Sequence, residues 1–225
     1  MPHHHPFPND DGETVVIHAP STPSPLAAWD DPRQLATVIP GGALPAQLNG
    51  VPFAPCALPG AIAVPAVDEP PFVLPSGFKA AAGAVILEPD GRVWLVAPTN
   101  GYGGYAATFP KGRVDPGAGL AATAVREAWE EAGLVVAIDG FLLDLRRTQT
   151  YTRYYLARRV GGSPAAMGWE TQAVHLAPVA LLETVAAHAN DVAIIAALGS
   201  VVPADAGSHV TSPRTAGHGS PRPRG

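Results

Sequence analysis

Apolar and polar positions fall into three stretches along the chain. From Phe78 to Leu87 the positions are nearly all apolar over the length of one strand. Pro89-Asp-Gly91 is a turn signal, and Val93–Val96 reads as the return strand of a hairpin. Asn100–Gly104 must be a loop. Leu120–Glu131 is Ala-rich with no Gly or Pro and predicts a helix, with Gly133 as its stop. Val135–Ile138 predicts a strand, and Phe141–Leu145 with Tyr151–Val160 a second hairpin. A loop over 161–168, a short strand over Ala173–Leu176 and helical patterns over Pro178–Ala187 and Asp191–Leu198 complete the segment. Strands interleaved with few helices predict an α/β or α+β sandwich with a mixed sheet.

The flanks differ. Residues 1–75 hold 16 of the 26 prolines, too many for a helix of more than two turns. Thr14–His18 suits one short strand, and Asp31–Ile39 a helical turn or another strand. Val, Ile, Leu, Phe and Trp are still present, so the expectation is an irregular arm laid on the domain surface. His3, His4 and His5 read as a plain tail or tag remnant, because no further metal ligand is near them in sequence. Residues 203–225 contain Pro, Ser, Gly and Arg and read as a disordered tail. The domain proper is expected at 76–202.

Charge changes the picture little. The net charge is −5, with one base against seven acids in residues 1–75 and near balance in the middle segment. A mildly acidic chain is a poor generic nucleic-acid binder. Cys56 is the single cysteine, so nothing demands an oxidising compartment. There is no basic and apolar leader, and no apolar run near the roughly 20 residues needed to cross a bilayer. The expectation is a soluble cytoplasmic protein, with a homodimer joined through the arm as one option.

The chemistry lies in Phe109–Leu134. Glu127, Glu130 and Glu131 stand at i, i+3 and i+4, on one helix face. Like charges at this spacing cost a few tenths of a kcal/mol per pair. A hard cation would remove that cost, and carboxylate oxygens suit Mg²⁺ or Mn²⁺. Ala121, Ala124, Val125, Ala128 and Ala132 form an apolar stripe on the other side. Gly112 and Gly117 bracket a tight loop ahead of the helix, and Lys111 adds a point charge for phosphate.

Gly112, Arg126-Glu127-Ala128, Glu130-Glu131 and Gly133-Leu134 resemble the Nudix box, G-x5-E-x7-R-E-U-x-E-E-x-G-U, where U is aliphatic. The spacing fits without gaps. One position departs: Ala118 stands where the first Glu is expected. The resemblance implies an α/β/α sandwich and metal-assisted hydrolysis of a nucleoside diphosphate linked to another group. It implies that Glu127 and Glu131 bind metal with the Gly112 carbonyl, and that Glu130 binds metal or acts as general base. Arg126 would hold Glu127 in place without touching substrate. Asp115, on the same loop as Ala118, is a candidate to compensate for the missing Glu. Glu170 sits where this family often supplies a further acid from a loop before a late strand; the other reading is a plain exposed loop acid.

Two features bear on substrate. Pro110-Lys111-Gly112 resembles the Pro-Lys-Gly lead-in of diadenosine and diphosphoinositol polyphosphate hydrolases. Arg146, Arg147, Arg153, Arg158 and Arg159 lie on or near one predicted hairpin with Tyr151, Tyr154 and Tyr155 between them. Arg153 and Tyr155 share a face in the extended pattern and are candidates to bind phosphates and a base. The alternative is a solvated sheet edge. The expectation is a Mg²⁺-dependent pyrophosphohydrolase acting on a polyphosphate-type small molecule. The alternative is a nucleotide-binding or regulatory module on the same fold, weakened by Ala118.

Overall fold

A computed structural model describes residues 3–58, 64 and 66–201. The expected disordered tail lies outside the described residues. The chain runs β1 (His3–His4), β2 (Val16–Ile17), α1 (Ala27–Asp30), β3 (Ala36–Val38), β4 (Gln47–Leu48), β5 (Val51–Pro52), β6 (Lys79–Leu87), β7 (Arg92–Pro98), β8 (Lys111–Arg113), α2 (Leu120–Ala132), β9 (Leu134–Arg146), β10 (Thr150–Gly162), β11 (Thr171–Pro178), α3 (Leu182–Val185) and α4 (Val192–Val201).

The main sheet has seven strands. Six run in the order β3-β11-β7-β6-β10-β9, and β8 pairs with β6 beside them. β10 is parallel to β6, while the other pairs are antiparallel, so the sheet is mixed as expected. The hairpin of β6 and β7 pairs only at Ile86–Trp94 and Leu87–Val93. Beyond that the two strands part, and β8 takes up β6 at Ala81, Ala82 and Gly83. This fork carries the box loop into the sheet. The strand and hairpin arm expected over 135–145 are one continuous β9, which follows β10 through three register shifts.

Alternation along β6 and β10 builds two cores, one on each face. Ala82, Ala84, Ile86, Tyr155 and Ala157 meet Ala124, Val125, Ala128 and Ala132 of α2 on one side. Val85 and Tyr154 meet Phe109, Leu182, Ala186, Ile194 and Leu198 on the other, under α3 and α4. The result is the expected α/β/α sandwich.

The arm lies against the domain and adds a strand to its sheet. Ala36–Val38 is an edge strand paired with β11 from Ala36–Leu176 to Val38–Val174. Trp29 is fully buried against Phe53 and Trp94. Two buried arginines of the domain bind the arm's backbone. Arg92 donates to the Ala28 and Trp29 carbonyls at 3.2 and 2.7 Å. Arg159 donates to the Leu48 and Val51 carbonyls at 2.8 and 3.2 Å. An irregular segment buried against a domain leaves carbonyls that no ladder satisfies, and the guanidinium groups supply the missing donors. The histidines are not a plain tail: His3–His4 pair with Val16–Ile17, and His5 is buried.

Candidate active site

The site is assembled from α2, β8 and the loop between β10 and β11. Burial of its small apolar face fixes the rotation of α2 and turns Glu127, Glu130 and Glu131 toward β8. Lys111 N donates to Glu131 Oε2 at 2.8 Å. Gly112 lies directly over Glu127: a Cβ built there would fall 2.1 Å from the carboxylate. Any side chain at 112 would have to push the Glu127 carboxylate aside. At the helix end Gly133 takes φ +66°, and its N–H donates to Trp129 O at 2.8 Å. A Cβ at 133 would fall 2.3 Å from Ser163 O, so both conformation and space demand glycine.

Arg126 sits among the acids. Nη2 lies 2.7 Å from Glu127 Oε1 and Nη1 2.5 Å from Glu130 Oε2. Nη2 also donates to the Arg113 carbonyl at 3.0 Å and lies 3.4 Å from Asp115. Asp115 thus faces Arg126 rather than the acids, and its side chain is 66% exposed.

The acids are electrostatically tense. Burial, and then the Glu131 charge, push the Glu127 carboxyl up to about 8. Burial pushes Glu131 up to about 7, opposed by Lys111. The Glu170 charge also raises Glu127 and Glu131, and the Glu170 loop is tied to α2 by Gly168 N donating to Glu130 O at 2.7 Å. The Glu170 carboxyl is itself raised, first by desolvation and then by the nearby Asp10. Asp10 is an arm residue that no sequence motif marks.

No three His, Cys, Asp or Glu side chains among the described residues form a ready-made metal group. The donor set nevertheless fits a hard cation. It consists of carboxylate oxygens that burial, and then their neighbours' charge, keep from ionising, beside a loop that approaches them without a side chain at Gly112.

Arg153 and Tyr155 stand elsewhere than the sequence suggests. Arg153 is 1% exposed; Nε and Nη2 donate to Asp144 at 2.8 and 2.7 Å, and Nη1 lies 3.3 Å from Glu69. Its guanidinium packs against the Phe72 and Phe141 rings. Tyr155 is buried in the α2-side core. Arm residues cover both, so neither has a free surface for a phosphate or a base. The rest of the basic hairpin is also committed: Arg158 pairs with Asp139, Arg159 with Glu88, and Arg146 lies over Phe78. The basic hairpin is therefore a set of ion pairs and stacked cations.

Sequence reasoning missed a polar network on the opposite face. Arg147 donates to Tyr154 Oη at 2.6 Å, Asp191 Oδ1 at 3.0 Å and Tyr105 Oη at 2.7 Å. The Tyr105 ring stacks on His188 at 3.9 Å. The Lys111 charge lowers both Asp191 in this network and Glu131 in the site. The only sequence signal was Arg147, one base among five. Beside the Glu170 loop a cavity of about 380 Å³ is lined by His18, Ala19, Pro98, Asn100, Tyr105 and Gln172, among others.

The RNA pyrophosphohydrolase of Caulobacter vibrioides, from two strains, is 37% identical over 91 residues, 40% of this chain and 50% of the relative. The chain thus spans about half the length of the curated relatives it matches. Among solved structures, an Ap4A hydrolase binary complex of C. elegans superposes with a TM-score of 0.45 at 22% identity, over 54% of this chain and 96% of the other. A NUDIX hydrolase from Nitrosomonas europaea gives 0.47 at 15% identity, over 55% and 88%. The model of the NUDIX domain matches residues 77–198, the segment that carries the forked sheet, the acidic helix and the glycine over Glu127. The chain belongs to the NUDIX domain family.

Proposed function

We propose that the protein is a divalent-cation-dependent pyrophosphohydrolase that cleaves a phosphoanhydride bond in a nucleoside polyphosphate. The observation that carries this reading is the seating of Glu127 against Gly112 and of Glu131 on the Lys111 N–H, with Arg126 joining Glu127 to Glu130. Mg²⁺, or Mn²⁺ in its place, would be held by Glu127, Glu131, Glu130 and the Gly112 carbonyl. It would neutralise the bridging phosphates and make the attacking water more acidic.

The chain's own groups do the rest. Glu130 or Glu170 takes the proton of the attacking water as its oxygen bonds to phosphorus. The bridging P–O bond breaks, and its electron pair leaves on the departing phosphate. Arg126 fixes the Glu127 and Glu130 carboxylates. Lys111 pairs with a phosphate oxygen of the substrate.

The Pro110-Lys111-Gly112 lead-in favours a diadenosine polyphosphate or similar small molecule. The relatives named RNA pyrophosphohydrolase support a second substrate, a pyrophosphate group on RNA. Ala118 supports another reading, a nucleotide-binding module that no longer hydrolyses. The test is a panel of diadenosine polyphosphates, diphosphoinositol polyphosphates, ADP-ribose, oxidised dNTPs and triphosphate-ended RNA, with and without Mg²⁺ or Mn²⁺. Metal-dependent turnover of one of them, lost in Glu130→Gln, supports the proposal. No turnover of any, with wild type equal to the variant, overturns it. A large rate gain in Ala118→Glu would favour the weakened module.

A further inference from the structure

The N-terminal residues, outside the family segment, reach the loop that carries Glu170. Residues 3–17 fold back on themselves: His3–His4 pair with Val16–Ile17, and the turn is closed by Asn9 N to Glu13 O and Glu13 N to Asn9 Oδ1, at 2.9 and 2.7 Å. At its tip Asp10 Oδ1 accepts from Trp169 Nε1 at 3.1 Å, across 159 residues of chain. Its base is tied down separately. Asn100 Oδ1 accepts from His18 N and Asn100 Nδ2 donates to Val16 O, both at 2.8 Å. Gln172 Nε2 donates to Ala19 O at 3.0 Å.

The loop is gripped from its other sides as well. Thr99 N donates to Glu170 O at 2.7 Å and Thr99 Oγ1 to Trp169 O at 2.8 Å. Gly168 N donates to Glu130 O at 2.7 Å. Glu170 is thus suspended between the end of α2 and the N-terminal hairpin. The hairpin buries little of its own beyond His5 and Ile17. A two-stranded hairpin is marginal alone, so its order depends on its ties to the domain, of which the Asp10–Trp169 bond reaches the Glu170 loop.

We propose that the hairpin of residues 3–17 is a strap that positions Glu170, with Asp10 and Trp169 as its positioning pair. The proposal rests on the role given to Glu170 above. Asp10 touches no substrate; it holds the indole that precedes Glu170 and so sets where the carboxylate stands.

The test uses the full chain and the variants Asp10→Ala, Trp169→Phe, the double variant, and Asp10→Asn, which keeps an acceptor oxygen. Hydrogen–deuterium exchange of the unliganded protein is followed at residues 168–172. Loss of this one hydrogen bond should speed exchange there about fivefold in Asp10→Ala and in Trp169→Phe. Asp10→Asn should stay within about twofold of wild type, and the double variant should be no worse than the worse single one. On the substrate the panel identifies, kcat should fall about tenfold in the same two variants while KM moves less than about twofold. Unchanged exchange in both single variants, multiplied losses in the double variant, or failure of Asn to rescue overturns the strap. Exchange is read without substrate, so a failed activity panel overturns the proposed function and leaves this result standing.

Discussion

Gly112 and Glu127 face each other so closely that one added methyl group would fall 2.1 Å from the Glu127 carboxylate. The contact sets the depth at which the box loop sits over the acidic helix. Gly112→Ala must displace either the carboxylate or the loop. Overpacking of this kind costs about 1–3 kcal/mol, and it displaces the carboxylate proposed to hold the metal. We expect a modest fall in Tm and a loss of kcat on the order of 100-fold. A near-wild-type rate in steady-state assays would show that the loop moves without consequence.

Arg153 separates a structural role from a substrate role. Buried between Asp144, Glu69 and two aromatic rings, it should be needed for folding and not for binding. Arg153→Gln leaves two carboxylates without their cation, at a cost of about 3 kcal/mol. Chemical denaturation should show that loss, and KM of the folded variant should be unchanged. A raised KM at unchanged stability would restore it to the substrate site.

His175 predicts acid sensitivity of the docked arm. Burial holds its imidazole down to about 4, and Nδ1 lies 2.8 Å from Thr37 Oγ1 on the arm strand β3. The folded-state value lies below the 6.5 of the unfolded chain, so between these values the unfolded state binds more protons. Stability is complete above pH 6.5 and falls as pH drops toward 4. Each pKa unit is about 1.4 kcal/mol, and partial solvent access trims the total to about 2 kcal/mol. Urea midpoints at pH 7 and pH 5 should differ in wild type and differ less in His175→Gln.

Removing the arm should unfold the domain. A chain beginning at residue 76 loses Trp29, β3 and the carbonyls that bind Arg92 and Arg159. Truncating one buried Trp alone costs about 3–5 kcal/mol, a large part of the 5–15 kcal/mol by which domains are stable. Circular dichroism and size-exclusion chromatography should find that fragment unfolded or aggregated. A monodisperse folded fragment would show the arm to be dispensable.

The sequence by itself determined the acidic helix, its apolar stripe, the glycines at 112 and 133 and the strands around them. These are local facts: a period of 3.6 puts Glu127, Glu130 and Glu131 on one face whatever surrounds them, and Gly ends a helix by its own backbone freedom. Only the tertiary structure decided which partner each charge takes. Arg153 and Arg147 look alike along the chain. One is locked under the arm by Asp144 and Glu69, and the other stands in the network beside Lys111. The docking of the arm was hidden for the same reason. Its prolines exclude long regular elements, but its burial is decided by Trp94, Arg92 and Arg159, more than 60 residues away. Likewise the proximity of Asp10 to Glu170 follows from a hydrogen bond spanning 159 residues. Partners so distant leave no periodicity or spacing to read, because contacts of that range are fixed by how the sheet is ordered and not by neighbouring residues.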